Sequence, residues 1–348
     1  MKDSSGNIRE KNIAFSLMRI CASFAIVLLH TVNVSEILYR DTLTKNEDLI
    51  SMAGVYCLMW AVPMFIMVSG ALLLDPKREI TLKRLYGKYI FRVAGALIVF
   101  VFFFRFFDMV MNREAFSFAI IGEAFHKMVT GTSWAHLWYL YVLIGIYVLL
   151  PAYRGIAAAC DEKTGKYLFI VFTVFLSILP VLEAGGIKIE FHLQITAVYS
   201  LYFLAGFLFD NNIVKINRKT AIAFTIIGTA GSIGLCIGRY YGTVEWLDDV
   251  LGSYASPFVV LQSVGLFILL RDVFGSNKQS RMIDVLDQQT FGIYLIHMVF
   301  LRLFLRYMNW NLYHYGAAAF VFFVIGMFAL SFGIVFLLRC IPGVKRIL

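Results

Sequence analysis

Residues 13–34 read IAFSLMRICASFAIVLLHTVNV, an apolar run of Ile, Val, Leu, Phe and Ala interrupted by Arg19 and His30. About 20 mainly apolar residues coiled as a helix cross the hydrocarbon layer of a bilayer, and a helix satisfies its own backbone there. The run therefore predicts a transmembrane helix. It has no small-residue A-x-A cleavage site and carries an arginine in its midst, so it is expected to be retained rather than cleaved as a signal peptide.

Nine further runs of the same kind follow, giving predicted spans at 13–34, 50–74, 91–107, 134–150, 166–182, 195–209, 221–240, 254–270, 290–307 and 315–338. The composition of the 348 residues agrees: 60% are hydrophobic, 16% aromatic and only 15% charged, with a mean hydropathy of +0.78. A soluble chain would carry about 25% charge. The abundance of Phe and Tyr excludes a disordered chain, and five scattered cysteines exclude a disulfide scaffold. The fold class is thus an all-α polytopic integral membrane protein of about ten transmembrane helices. Without internal repeat or linker, residues 1–348 form one membrane domain.

A net charge of +9 would suit a nucleic-acid binder, but the basic residues sit in clusters between spans. These are Lys2/Arg9/Lys11, Lys77/Arg78/Lys83/Arg84/Lys88, Arg154/Lys163/Lys166, Lys215/Arg218/Lys219, Arg271/Lys278/Arg281 and Arg339/Lys345/Arg346, about two thirds of the 31 Lys and Arg. By the positive-inside rule they lie in the cytoplasm, as do both termini, and no nucleic-acid partner is implied. The connector Asp108–Ser133 includes an amphipathic stretch, Phe116–Val129, expected to lie along the outer interface. The cysteines form no CxxC or Cys/His cluster, so no metal site is expected.

Ionisable residues inside a span cost several kcal/mol and mark function by default. Arg19 and His30 are eleven residues apart, about three helical turns and ~16 Å, and so share a face. Ser16, Ser23 and Asn33 fall on the same side. Such a stripe belongs on an interior cavity. Arginine suits phosphate or carboxylate, and histidine suits proton transfer near neutral pH. A structural Arg–carbonyl or Arg–Asp tie beside a hydrogen-bonded core histidine fits equally at this point.

Five features in order resemble the acyltransferase-3 family of bacterial membrane O-acyltransferases: the Arg19-x10-His30 pair; VPMFIMVSGALL at 62–73; HLWYL at 136–140, followed by Tyr147 and Pro151; LYFLAG at 201–206; and TFGIYLIH at 290–297. The resemblance runs from about Ile13 to Leu338 and is to the single-domain O-acetyltransferase branch. It implies transfer of an acyl group, most often acetyl, from cytoplasmic acyl-CoA as donor substrate, with no bound cofactor. The acceptor is a hydroxyl of an envelope glycan or lipid-linked glycan. It also implies a multi-pass protein of the bacterial inner membrane, embedded in its lipid bilayer.

Carried over by position, His30 would be the catalytic base or acyl carrier, and Arg19 would hold or polarise the donor. Arg84, Lys88 and Arg92, spaced i, i+4, i+8, would receive the CoA end. The family's Arg-x-x-Arg followed by proline is absent there, and ordinary positive-inside anchoring explains the same charges. Ser23, Ser69, His136, Trp138, Tyr139 and His297 are further candidates for the tunnel or acceptor side. Aromatic-belt, helix-packing and structural hydrogen-bond roles fit them too. Glu36, Asp108, Glu183, Glu190, Asp248 and Asp249 on the outer side could contact a sugar, or be solvated loop charges. The alternative from another class is a transporter or exporter without acyl chemistry. The apparent lack of half-length or Gly/Pro-broken spans speaks against it.

Overall fold

The computed structural model describes residues 12–184, 198–244, 253–275 and 280–348, and among these there are helices and no strands. Helix α1 (Ile13–Tyr39) starts where the side chain of Asn12 accepts the Ala14 N–H. It is followed by α2 (Lys45–Leu58), α3 (Ala61–Leu73), α4 (Phe91–Met111), α5 (Ala119–Thr130), α6 (Trp138–Val148) and α7 (Leu150–Ala158). The second half holds α8 (Glu162–Thr173, extended to Ala184), α9 (Tyr199–Asp210), α10 (Arg218–Tyr240), α11 (Pro257–Phe274), α12 (Arg281–Leu301) and α13 (Gly316–Leu338). Four others also start on a residue whose side-chain oxygen accepts a first-turn N–H: Thr44, in a capping box with Glu47, and Asp161, Asn217 and Ser280.

Among the described residues eight helical stretches are long and apolar enough to cross a membrane, and a ninth is added if α6 and α7 count as one bent span. Every predicted run holds a helix, but α9, with 12 described residues, reaches only about 18 Å. Large apolar side chains such as Val99, Ile226, Phe322 and Leu337 are exposed on the outside, as lipid-facing surface would be.

Two spans expected to be unbroken are not. The second is interrupted at Met59–Trp60 between α2 and α3, and the fourth turns by 56° at Leu149 between α6 and α7. Proline is the cause in each. Pro63 and Pro151 have no N–H for the carbonyls of Met59 and Tyr147, four residues earlier. The ninth predicted span also starts earlier than 290: α12 begins at Arg281, which places Asp287 on the helix. Lys278, placed in one cluster with Arg281, lies outside the described residues, as do Lys2, Arg9 and Lys11.

Close backbone contacts fix the bundle. A methyl group on Gly70 of α3 would overlap the carbonyl of Phe203 on α9, and one on Gly206 of α9 would overlap that of Met67 on α3. Such reciprocal small residues replace the hydrophobic force that lipid cannot supply. On α12, Gly292 receives Val335 of α13. At the far end Asp108 accepts from Arg302 at 2.8 Å and from the Trp134 indole at 2.9 Å, while the Arg302 guanidinium lies 3.7 Å from the Trp134 ring centre. The amphipathic connector forms α5, with Ile120 and Ala124 buried and Ile121, Phe125 and Val129 exposed. Arg105 on α4 binds both Glu114 and Glu123, and its hydrogen bond holds the Glu114 carboxyl below the usual carboxylate range.

Candidate active site

α1 and α12 run parallel, since Arg19 meets Asp287 and, eleven and ten residues further on, His30 meets His297. The first rung is bidentate: Arg19 Nε donates to Asp287 Oδ1 at 2.7 Å and Nη2 to Oδ2 at 2.8 Å. Ser16 Oγ adds a third bond to Oδ2 at 3.0 Å. Three hydrogen bonds and an opposite charge are what a buried carboxylate and an arginine in a span require. The Arg–Asp tie left open by the sequence is therefore present, with Arg19 also lining a cavity.

That cavity, about 380 Å³, is bounded by Arg19, Arg78, Arg92 and Arg339 together with Asp287. Four guanidinium groups against one carboxylate make it an anion-attracting space. Arg78 donates to the Leu72 carbonyl at 2.9 Å and to the Tyr89 hydroxyl at 2.7 Å. Arg92 lies 4.9 Å from the Phe291 ring centre and donates to the backbone oxygens of Ile347 and Leu348. Ser69 is in the wall, its hydroxyl donating to Phe65 O of its own helix at 2.8 Å. Tyr89, Tyr139, Tyr147, Gln288, Thr290 and Tyr294 complete the polar lining.

Tyr294 is shared with a second feature. Its hydroxyl donates to the backbone carbonyl of His136, and its ring centre lies 5.7 Å from the His136 ring and 6.4 Å from that of His297. Three imidazoles gather there. His30 Nδ1 is 2.8 Å from His297 Nε2 with the rings stacked at 5.0 Å, and His136 lies edge-on to both at 6.4 and 5.8 Å. His297 Nδ1 faces the Ile293 carbonyl at 3.0 Å, and His136 Nε2 faces that of Leu295 at 3.3 Å. His136 and His297 are 2% and 0% exposed, whereas His30 keeps accessible surface. Among the described residues no group of three or more such side chains is arranged to hold a metal ion.

An imidazole cluster beside an anion-attracting cavity is a layout suited to group transfer. A family model described as an acyltransferase domain matches residues 12–339. The chain belongs to the acyltransferase-3 family. No curated protein and no solved structure matches it. As a family member with many apolar helices, this acyltransferase is a multi-pass membrane protein.

The acyltransferase-3 pattern and the geometry meet unevenly. Arg19, Arg92, Ser69 and Tyr139 line the cavity, and His30, His136 and His297 form one cluster beside it. Arg84 and Lys88 do not line the cavity. Leu85–Ile90 is a π-helical turn, and its wider i→i+5 step breaks the spacing that would bring them into register with Arg92. Trp138 turns to a different aromatic group, with ring centres 5.5 Å from Tyr199 and 5.4 Å from Tyr254. Ser23 is buried and its hydroxyl has no hydrogen-bond partner. Among the outer acids, Glu36 pairs with Arg40, just past the end of α1, and Asp108 with Arg302. Glu190, Asp248, Asp249 and the side chain of Glu183 lie outside the described residues.

Three wall residues escape sequence reasoning in this role. Arg78 and Arg339 read as ordinary members of basic clusters. Asp287 lies just before the predicted start of the ninth span, and the one signal for it is the arginine in the first span, which needs a counter-charge.

Proposed function

We propose that the protein transfers an acyl group, acetyl first among candidates, from acyl-CoA to a hydroxyl of a cell-envelope or lipid-linked glycan. The setting is the cytoplasmic membrane of a bacterium, with the arginine cavity facing the cytoplasm. The observation that carries this reading is that Tyr294, in the wall of the four-arginine cavity, also packs against His297, the partner of His30 in the imidazole cluster. Arg78, Arg92 and Arg339 would take the phosphates of CoA, because a guanidinium fork matches phosphate oxygens. Arg19 is committed to Asp287 through Nε and one hydrogen of Nη2, so the hydrogens of Nη1, which make no bond to Asp287, would polarise the donor carbonyl.

In the reaction the acceptor hydroxyl oxygen attacks the thioester carbonyl carbon while His30 takes the hydroxyl proton. The C–S bond then breaks and the proton passes from His30 to the departing thiolate. The products are the O-acyl ester and free CoA thiol.

The test is mass spectrometry of envelope glycans from cells with and without the gene, complemented by the parent protein or by His30→Ala. A mass difference of one acetyl or one succinyl group, restored by the parent alone, supports the reading. Full restoration by a folded His30→Ala protein refutes it. The transport alternative draws support from the proline breaks in two spans. Solute uptake by vesicles that hold the purified protein and no acyl-CoA would favour it.

A further inference from the structure

We infer that His297 is a positioning residue that fixes the tautomer of His30, so that Nε2 of His30 is the nitrogen that reacts. The inference rests on the acyl-transfer reading for what His30 reacts with, but the hydrogen positions follow from the contacts alone.

A carbonyl oxygen only accepts hydrogen bonds. His297 Nδ1, 3.0 Å from Ile293 O, must therefore carry its ring hydrogen. In the neutral ring Nε2 is then a bare lone pair. The atom facing it, His30 Nδ1 at 2.8 Å, must be the donor, which leaves His30 Nε2 bare. The chain Ile293 C=O, His297, His30 thus runs in one direction and ends on a basic nitrogen. The same arrangement orients a catalytic imidazole wherever a second group holds its far nitrogen.

Accessibility separates the two roles. His297 is 0% exposed and His136 2% exposed, so neither meets a bulky acceptor directly. His30 retains accessible surface and is the ring that a hydroxyl can reach. When His30 takes the proton on Nε2, its Nδ1–H stays on His297, which faces the new positive charge with a lone pair instead of a hydrogen. His297 also stacks on the ring at 5.0 Å, which limits rotation about χ2 and keeps Nε2 aimed away from α12.

The test uses the full chain in nanodiscs. Long-range proton–nitrogen spectra of 15N-histidine-labelled protein, assigned against His30→Ala, distinguish the protonated from the bare nitrogen of His30. The expected result is Nδ1–H in the parent and in His297→Gln, whose carboxamide oxygen still accepts, and Nε2–H or a mixture in His297→Leu. Release of CoA thiol from acetyl-CoA, with octyl glucoside as hydroxyl acceptor, gives the kinetic arm. Turnover in His297→Leu should fall by about 100-fold or more with the KM for acetyl-CoA within about twofold, and His297→Gln should stay within about tenfold of the parent.

A parent spectrum showing Nε2–H on His30 would overturn the inference even if both His297 variants failed to fold. So would a His297→Leu protein that keeps the parent tautomer. If the tautomers are as expected and the parent releases no thiol from acetyl-CoA, the positioning role stands and the acyl-transfer reading falls.

Discussion

The Arg19–Asp287 rung can be dissected with a double-mutant cycle. Asp287→Leu leaves a guanidinium inside a span without its counter-charge, and Arg19→Met leaves a carboxylate there. Removing one member of a buried pair costs about 3–5 kcal/mol. Interhelical hydrogen bonds in membranes are worth about 0.6–1.7 kcal/mol each, and three converge on Asp287, so that route gives roughly 2–5 kcal/mol. Both point to about 4 kcal/mol for Asp287→Leu, and to about 3 kcal/mol for Arg19→Met, which keeps the Ser16 bond. The double variant removes both charges and should recover at least half of that loss, because an apolar pair replaces an ion pair at little cost. Ser16→Ala, which deletes one bond of the three, should cost about 1 kcal/mol. The assay is equilibrium unfolding in mixed micelles with rising SDS fraction, read by circular dichroism. Single-variant losses that add within about 0.5 kcal/mol would refute the coupling, as would a neutral Asp287→Leu. Thiol release from acetyl-CoA should be lost in all three charge variants, since stability can be restored without restoring the arginine.

Other outcomes follow from the geometry. Arg78→Ala and Arg339→Ala, which remove cavity guanidinium groups, should each raise the KM for acetyl-CoA about tenfold, the effect of one charged hydrogen bond, whereas Lys88→Ala should change it less than about twofold. Gly206→Ala should destabilise the protein by at least about 1–3 kcal/mol, measured by the same unfolding assay, with Gly234→Ala, where a methyl meets open space, as the neutral control. Because Arg105 depresses the Glu114 carboxyl, its contribution to holding α5 is complete above the unfolded carboxylate range near pH ~4.3. That contribution is lost only as pH falls through the lower folded value. Limited proteolysis of the 112–118 segment should therefore stay constant from pH 7 to 5, and Glu114→Gln should raise it throughout.

The parts of this protein that were legible in sequence are those set by local physics. Runs of apolar residues located the helices, and one 100° periodicity placed Arg19 and His30 on a single face. Contacts between distant segments were not legible. Nothing in the spacing of His30 and His297, 267 residues apart, says that they touch. Asp287 was hidden because hydropathy places span ends poorly where a polar turn such as Asp287-Gln288-Gln289 continues a helix. Pro63 and Pro151 were visible as residues, but their breaks depend on whether neighbours re-satisfy the freed carbonyls. Of the Arg84–Lys88–Arg92 series only Arg92 lines the cavity, since the 100° rule does not hold through the π turn at Leu85–Ile90.

The tyrosines at the inner end of the cavity also have an electrical consequence. Solvent ions that entered among the arginines would carry the potential of their own face to the cavity wall, which includes Tyr139 and Tyr294. The voltage across the bilayer then drops over the remaining protein, which contains the imidazole cluster, and the field there is steeper than in plain lipid. A full elementary charge crossing that drop does work of about 2.3 kcal/mol per 100 mV. A proton shifted by a fraction of that path at His30 is moved by the corresponding fraction. If acyl transfer includes such a displacement, its rate in energised vesicles should change on addition of an uncoupler, and an unchanged rate would show that the proton moves across no part of the drop.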